Sequence, residues 1–274
     1  MGKVHIRSDG TTAIIAFDNP PLGFLTGEMT GQFHAALTEV LGRDDVRALV
    51  LTGETPGVMI RHFDLPELSA MAEAMAADPP TARAKWDDSI FHQITRRLET
   101  CDIPVIAAIN GDCMGVGFEI ALACDIRIAQ AGPFSIGLPE MNIAMFPGGG
   151  GAVRLARAVG VARALEWIAT ARVLEPHEAL ALGLVSHVVA DPLAYALAMA
   201  RDMARRSATG IAAAKRIVHA AQDAGIEDAL TIEQQEVNDR LGSDEVREVL
   251  RAYAKSGADL RKPIQIRRET NGEL

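Results

Sequence analysis

The stretch NGDCMGVGFEIALACD, residues 110–125, decides the fold. It follows IPVIAAI, a continuous apolar run of the kind that forms a strand buried on both faces. Asn110 and Gly111 mark a turn, Gly115 and Gly117 space a connector, and FEIALAC reads as a buried helix. Strand, glycine-rich connector and helix, in that order, make one unit of an α/β domain with mostly parallel strands. A helix start leaves backbone N–H groups unpaired and carries the positive end of the dipole. Glycines let a ligand approach that backbone closely. The unit is therefore suited to hold a negatively charged oxygen, either a phosphate or an oxyanion that develops during a reaction. One residue breaks the apolar run: Glu119 puts a carboxylate where burial penalises its charge unless a partner or a chemical task holds it there. The plain alternative is a glycine turn that only packs a strand against a helix, and this stretch alone does not choose between the two.

The same alternation continues on both sides. VHIRSDG and TTAIIAFD meet at Asp9 and Gly10, a hairpin signal. VRALVLTG, DIRIA and LVSHVVA are further strands. GEMTGQFHAALTEVLGRD places Met29, Phe33, Leu37 and Leu41 on one helix face. AVRLARAVGVARALEWIATA and PHEALALG are helical patterns. From Asp191 onward no strand pattern remains, and three Ala-rich amphipathic helices follow. The expected division is an α/β core over residues 1–190 and a helical region over residues 191–274 that covers the core or meets a partner subunit. Residues 64–86, DLPELSAMAEAMAADPPTARAKW, read as a lid-like helix and loop, and PIQIRRETNGEL reads as a frayed tail.

Bulk properties narrow the function. The chain has 274 residues and is 49% hydrophobic, enough for a large core. A net charge of −9, without a block of Lys and Arg, argues against a nucleic-acid partner. The three cysteines, Cys101, Cys113 and Cys124, have no CxxC spacing, so neither a disulfide framework nor a zinc site is expected. The N-terminal residues lack the pattern of a signal peptide. No run approaches the ~20 apolar residues of a membrane helix. The expectation is a cytoplasmic protein with neither membrane nor nucleic-acid partner.

A second stretch, SIGLPEMNIAMFPGGGGAVRLARAVG, adds to the first. Glu140 follows a proline among apolar residues, and four glycines, residues 148–151, open the helix AVRLARAV. Two carboxylates thus stand beside glycine-rich backbone. If they share a buried site, each raises the other's pKa, which is how an enzyme obtains an acid and a base near neutral pH. A surface-loop position for Glu140 is the alternative. Other chemistries fit poorly. Ile120 stands where a dinucleotide motif needs its third glycine, and the chain has no G-K-[ST], no G-x-S-x-G and no H-E-x-x-H. His62, in IRHFD, follows a strand-like stretch and is a further candidate.

These residues carry a resemblance. IPVIAAINGDCMGVGFEIALACDIRIA, PFSIGLPEMNIAMFPGGGGAVRLARAVG, ATARVLEPHEALALGLVSHVV and FDNPPLGFLT together resemble the enoyl-CoA hydratase/isomerase family, the crotonase-like proteins. The resemblance implies a spiral of β-β-α turns with a C-terminal helical trimerisation region. It implies an acyl-CoA thioester substrate, no cofactor besides the coenzyme A of that substrate, and self-association as a trimer or a dimer of trimers. It implies that Glu119 and Glu140 are catalytic and that the backbone N–H groups of Arg61 and Val116 form an oxyanion hole. Leu22, Gly23, His62, Phe63, Asp64, Gly115 and Gly117 are implied at the substrate. Arg61, His62 and Phe63 replace small residues of the family pattern, and Val116 replaces a glycine. Because Val is β-branched, Val116 is expected at negative φ. Hydration of a 2,3-enoyl thioester is the implied reaction. Isomerisation, thioester hydrolysis, C–C cleavage or a non-catalytic assembly role stay open on the same fold.

Overall fold

Three successive passes of the chain each lay one strand in each of two sheets. The computed structural model describes residues 2–78, 89–257 and 259–260. A hairpin of β1 (Lys3–Asp9) and β2 (Thr12–Asp18) opens the chain and is followed by helix α1 (Gly27–Leu41). The first pass is β3 (Ala48–Gly53) and β4 (Gly57–Ile60), then α2 (Leu65–Ala77) and α3 (Ile90–Thr100). The second is β5 (Val105–Ile109) and β6 (Gly111–Met114), then α4 (Val116–Leu122). The third is β7 (Ile126–Gln130) and β8 (Ile136–Gly137), then a 3-10 turn (Glu140–Ile143) and the helices α5 (Gly151–Val159) and α6 (Val161–Ala169). After these come β9 (Val173–Leu174), α7 (Pro176–Ala181) and β10 (His187–Val189).

The larger sheet has the order β1-β2-β3-β5-β7-β10 and the smaller one β4-β6-β8-β9. Within the spiral all neighbours are parallel: β3, β5 and β7 in one sheet, and β4, β6 and β8 in the other. The spiral of β-β-α turns that the sequence implied is therefore present. Its central strands β3 and β5 are buried without alternation because both faces are covered. On one face Ile15, Leu49, Leu51 and Ala107 meet α1 residues such as Phe33 and Leu37. On the other, Val50, Ile106 and Ala108 meet Ala196 and Ala200 of α8 (Pro192–Ala204).

Several expectations change. AVRLARAVGVARALEWIATA is two helices, broken at Gly160, whose φ of 83° ends the first. The third expected C-terminal helix is also two, α10 (Ile226–Gly242) and α11 (Asp244–Ser256), because Ser243 leaves helical geometry and caps α11. Gly111 to Met114, read as a turn and connector, form strand β6. The chain divides into units of residues 1–215 and 216–274, the break falling within α9 (Ala208–Asp223). This lies later than the expected boundary because α8 is buried on the larger sheet. Residues 79–86 of the lid-like stretch and the tail from residue 261 lie outside the described residues. Among the described residues, no helix is long and apolar enough to cross a membrane.

Candidate active site

The parallel strands β4, β6 and β8 run in one direction, so the segments that follow them emerge at one edge of the smaller sheet. After β4 come residues 61–64, after β6 comes Gly115, and after β8 come Leu138, Pro139 and Glu140. The Gly115 N–H donates to the Gly137 carbonyl at 2.9 Å, which extends the pairing one residue past β6. Gly115 then turns with φ 51° and ψ −127°, a conformation that L side chains rarely adopt. That turn makes Val116 the first residue of α4, at negative φ as expected, since Ala144 and Ala171 are the positive-φ non-glycine residues among those described. The Val116 N–H has no helical acceptor, and no described residue accepts from it.

Glu119 lies one turn into α4 and is 4% exposed. Its Oε1 accepts two backbone hydrogen bonds, from Gly149 N at 2.7 Å and Gly151 N at 2.9 Å. The glycine run is required by this approach. A Cβ on Gly151 would lie 2.7 Å from Glu119 Cγ, and one on Gly149 would lie 2.1 Å from Phe91 Cε1 and 2.8 Å from Glu119 Oε2. Burial raises the Glu119 pKa, while the two N–H groups and the charge of Arg154 act the other way. The carboxylate is thus desolvated, and one of its oxygens is fixed in place.

Glu140 opens the 3-10 turn after Pro139. Its Oε2 is buried and hydrogen-bonds to no described residue. Burial pushes its pKa up to about 7; a hydrogen bond from its own backbone opposes this, and the Glu119 charge adds to it. A Cβ on Gly115 would stand 3.3 Å from Glu140 Oε1 and 3.5 Å from His62 Cβ, so Glu140, Gly115 and the segment after β4 are neighbours. The two carboxylates and the helix start therefore share one edge, and Glu140 is not a surface-loop residue.

The segment after β4 corrects one expectation. The Arg61 N–H donates to the Gly23 carbonyl at 2.8 Å, so it is engaged within the fold and does not face the site. Leu25 N donates to His62 O at 2.9 Å and Asp64 N to Leu25 O at 2.8 Å, which forms a parallel bridge between Leu25 and Phe63. In such a bridge the N–H of the central residue points away from the partner strand. That residue is Phe63, and no described residue accepts its N–H. The side chains around it are tied down. Arg61 Nη2 sits 3.1 Å from Asp112 Oδ2. His62 stacks on Phe24 at 4.4 Å and its Nδ1–H donates to the Phe63 carbonyl at 2.7 Å. Asp64 caps α2 by accepting from Glu67 N at 3.0 Å, so its carboxylate has a structural task. Gly23 turns with φ 70° beside Val58, and Leu22 is exposed. Gly117 allows α4 to pack on β4, because a Cβ there would lie 2.3 Å from the Ile60 carbonyl oxygen. Among the described residues, no group of three or more His, Cys, Asp or Glu side chains could hold a metal ion.

A sequence model described as enoyl-CoA hydratase/isomerase matches residues 7–259. The chain belongs to the enoyl-CoA hydratase/isomerase family. It is 31% identical over 255 residues to the putative enoyl-CoA hydratase/isomerase YngF of Bacillus subtilis, covering 92% of this chain and 95% of that protein. It is 34% identical to the mitochondrial methylglutaconyl-CoA hydratase of Rattus norvegicus over 84% of this chain and 73% of that one. Its fold matches the enoyl-CoA hydratase of Bacillus anthracis with a TM-score of 0.82 and 28% identity, covering 92% of this chain and 96% of the other. As a family member the chain is an enzyme of the enoyl-CoA hydratase/isomerase type with the crotonase fold.

Two features of this site were beyond the sequence. The outward-facing N–H of Phe63 depends on pairing between residues 23–25 and 61–64, which no local pattern encodes. Arg154 donates to the Gly149 carbonyl at 3.2 Å and binds Glu99 with both ends of its fork, at 2.6 and 2.7 Å. In sequence, Arg154 is one of several arginines on an amphipathic helix.

Proposed function

We propose that this enzyme adds water across the 2,3-double bond of an enoyl-CoA thioester. The observation that carries the reading is the pairing of Glu119 and Glu140 in unlike environments at the edge where Val116 and Phe63 present N–H groups that no described residue accepts. Glu119 receives two backbone N–H bonds, which favour its ionised form and suit it to accept a proton from water. Glu140, with its pKa near 7 and Oε2 bonded to no described residue, suits proton delivery at neutral pH. In the step, the water oxygen attacks C3 and gives a proton to Glu119. The π electrons move toward the thioester oxygen, and C2 takes a proton from Glu140. One proton is accepted and one is given, so a transfer within the pair resets the site. The Val116 and Phe63 N–H groups stabilise the developing oxyanion, each worth about 3–4 kcal/mol of barrier in comparable sites. Because the carboxylates interact, the pH profile belongs to the pair.

The test is product analysis by mass spectrometry after reaction with crotonyl-CoA and a panel of longer and aromatic enoyl-CoAs. Gain of one water is expected. A shifted double bond, free coenzyme A or a cleaved acyl chain would instead assign isomerisation, hydrolysis or C–C cleavage. Glu119→Gln and Glu140→Gln should each lower turnover by orders of magnitude, with acyl-CoA affinity held within a few fold. Normal turnover in either variant removes that residue from the mechanism.

A further inference from the structure

Gly149 is held through both of its backbone polar groups. Its N–H donates to Glu119 Oε1 at 2.7 Å, and its carbonyl accepts from Arg154 Nη1 at 3.2 Å. Arg154 projects from the first turns of α5, and its Nε and Nη2 form a two-pronged ion pair with Glu99 at 2.6 and 2.7 Å. Both side chains are largely buried, at 14% and 24% exposed. Glu99 belongs to α3, which is anchored in the core by Ile94 and Leu98. Phe91, two turns earlier on α3, stands against Gly149. Residues eight apart share a helix face, so α3 braces the glycine turn at two points.

We propose that Glu99 and Arg154 are a positioning pair that holds the turn of residues 148–151 against Glu119 and so fixes where that carboxylate sits when it works. The proposal rests on the hydratase reading of Glu119. Neither residue is assigned contact with substrate. A paired fork of this kind is charge-assisted and geometrically specific, which a single point charge does not reproduce. The charged groups around Glu119 are Arg154 from α5 and Glu140 from the 3-10 turn. Those around Arg154 are Glu99, Glu119 and His92. Burial, then the Arg154 charge, push His92 toward its neutral form, so it does not act as a second cation.

The test compares kcat, KM and the pH dependence of kcat/KM for Arg154→Met, Arg154→Lys and Glu99→Gln, with Glu119→Gln as reference. Arg154→Met should lower kcat ~10- to 100-fold, with KM changed only a few fold, as misplacement of a catalytic group does. It should also move the acid limb of the profile to higher pH, because a positive charge and two ordered donors that favour ionised Glu119 are weakened. Arg154→Lys keeps the charge without the fork, so the limb should return toward wild type while kcat recovers only in part. Glu99→Gln should lower kcat without raising the limb, since the arginine charge remains. Wild-type kcat and limb in folded Arg154→Met overturn the proposal. So does a loss of activity that follows the fall in melting temperature with the limb unmoved, which is what a merely structural pair would give. Should Arg154→Met not fold, wild-type kcat in both Arg154→Lys and Glu99→Gln overturns it. Wild-type turnover in Glu119→Gln would refute the hydratase reading itself, whereas an inactive Glu119→Gln beside unaffected Arg154 variants refutes the pair alone.

Discussion

At Glu140 the proposed function and stability pull in opposite directions. Its pKa is raised from 4.5 to about 7, so the folded protein binds its proton more tightly than the unfolded chain does. The stabilisation from that proton is full below about pH 4.5 and is lost as pH rises through 7. At pH 8 the folded state holds an ionised, half-buried carboxylate whose Oε2 has no donor among the described residues. Glu140→Gln removes the charge and keeps the shape. It should raise the melting temperature at pH 8 by roughly 2–4 °C and leave it nearly unchanged at pH ~4, below the unfolded value, while turnover collapses. Calorimetry at the two pH values checks this, and an equal shift at both would exclude a titrating Glu140. The proposed oxyanion donor permits an equally direct substitution. Val116 is the first helical residue of α4, where proline is well accommodated. Val116→Pro should therefore delete the N–H with the helix intact and lower kcat by ~10²–10³-fold. A loss of less than a few fold, measured in steady state, would put the donor elsewhere.

The elements that deliver these residues differ in how they are encoded. The central strands of the larger sheet, β2, β3, β5 and β7, were legible because each is a mostly apolar run of five to seven residues between turn signals. The smaller sheet was not, since β4 and β6 have four residues each and β8 and β9 two. Such segments, rich in glycine, carry no period. They become strands only because the passes of the spiral stack them side by side. The site divides in the same way. Glu119 was legible as a charge inside an apolar helix, and Glu140 through its setting beside a second glycine run. The Arg61 N–H, expected to face the site, bonds Gly23 instead, and the N–H that points away from the pairing, that of Phe63, depends on the non-local bridge of Leu25 and Phe63. The far end of α4 has a similar hidden support. Arg127 donates to the carbonyls of Cys124 at 2.7 Å, Ala121 at 3.2 Å and Leu184 at 2.6 Å, which caps the helix that carries Glu119. An arginine at a helix C-terminus satisfies orphan carbonyls and complements the dipole. Arg127→Met should cost about 2–4 kcal/mol, read as a lower denaturant midpoint with an unchanged slope. A midpoint within error of wild type would show that the cap contributes nothing.

At the scale of the whole molecule, the unit of residues 216–274 raises a question of its own. Ala229 is the single buried residue of α10, and α11 has none. Yet Ile226, Leu230, Val237 and Leu241 of α10 are all exposed, Ile226 by 73%. Their spacing places all four within about 60° of one another around a 3.6-residue helix. A continuous apolar stripe of this kind on a free surface marks a place of association, because each such side chain gains roughly 1.5–3 kcal/mol when buried. We expect a second copy of the chain to cover it, as the family resemblance implied for the C-terminal helices, in a trimer or a dimer of trimers. Sedimentation at micromolar concentration should then show assemblies of three or six chains. Leu230→Lys, which puts a charge in the middle of the stripe, should shift the distribution toward monomer. Monomers alone for the unsubstituted protein would rule out self-association. An assembly that Leu230→Lys leaves intact would mean that the copies meet elsewhere, and the α10 stripe would lose its role in assembly.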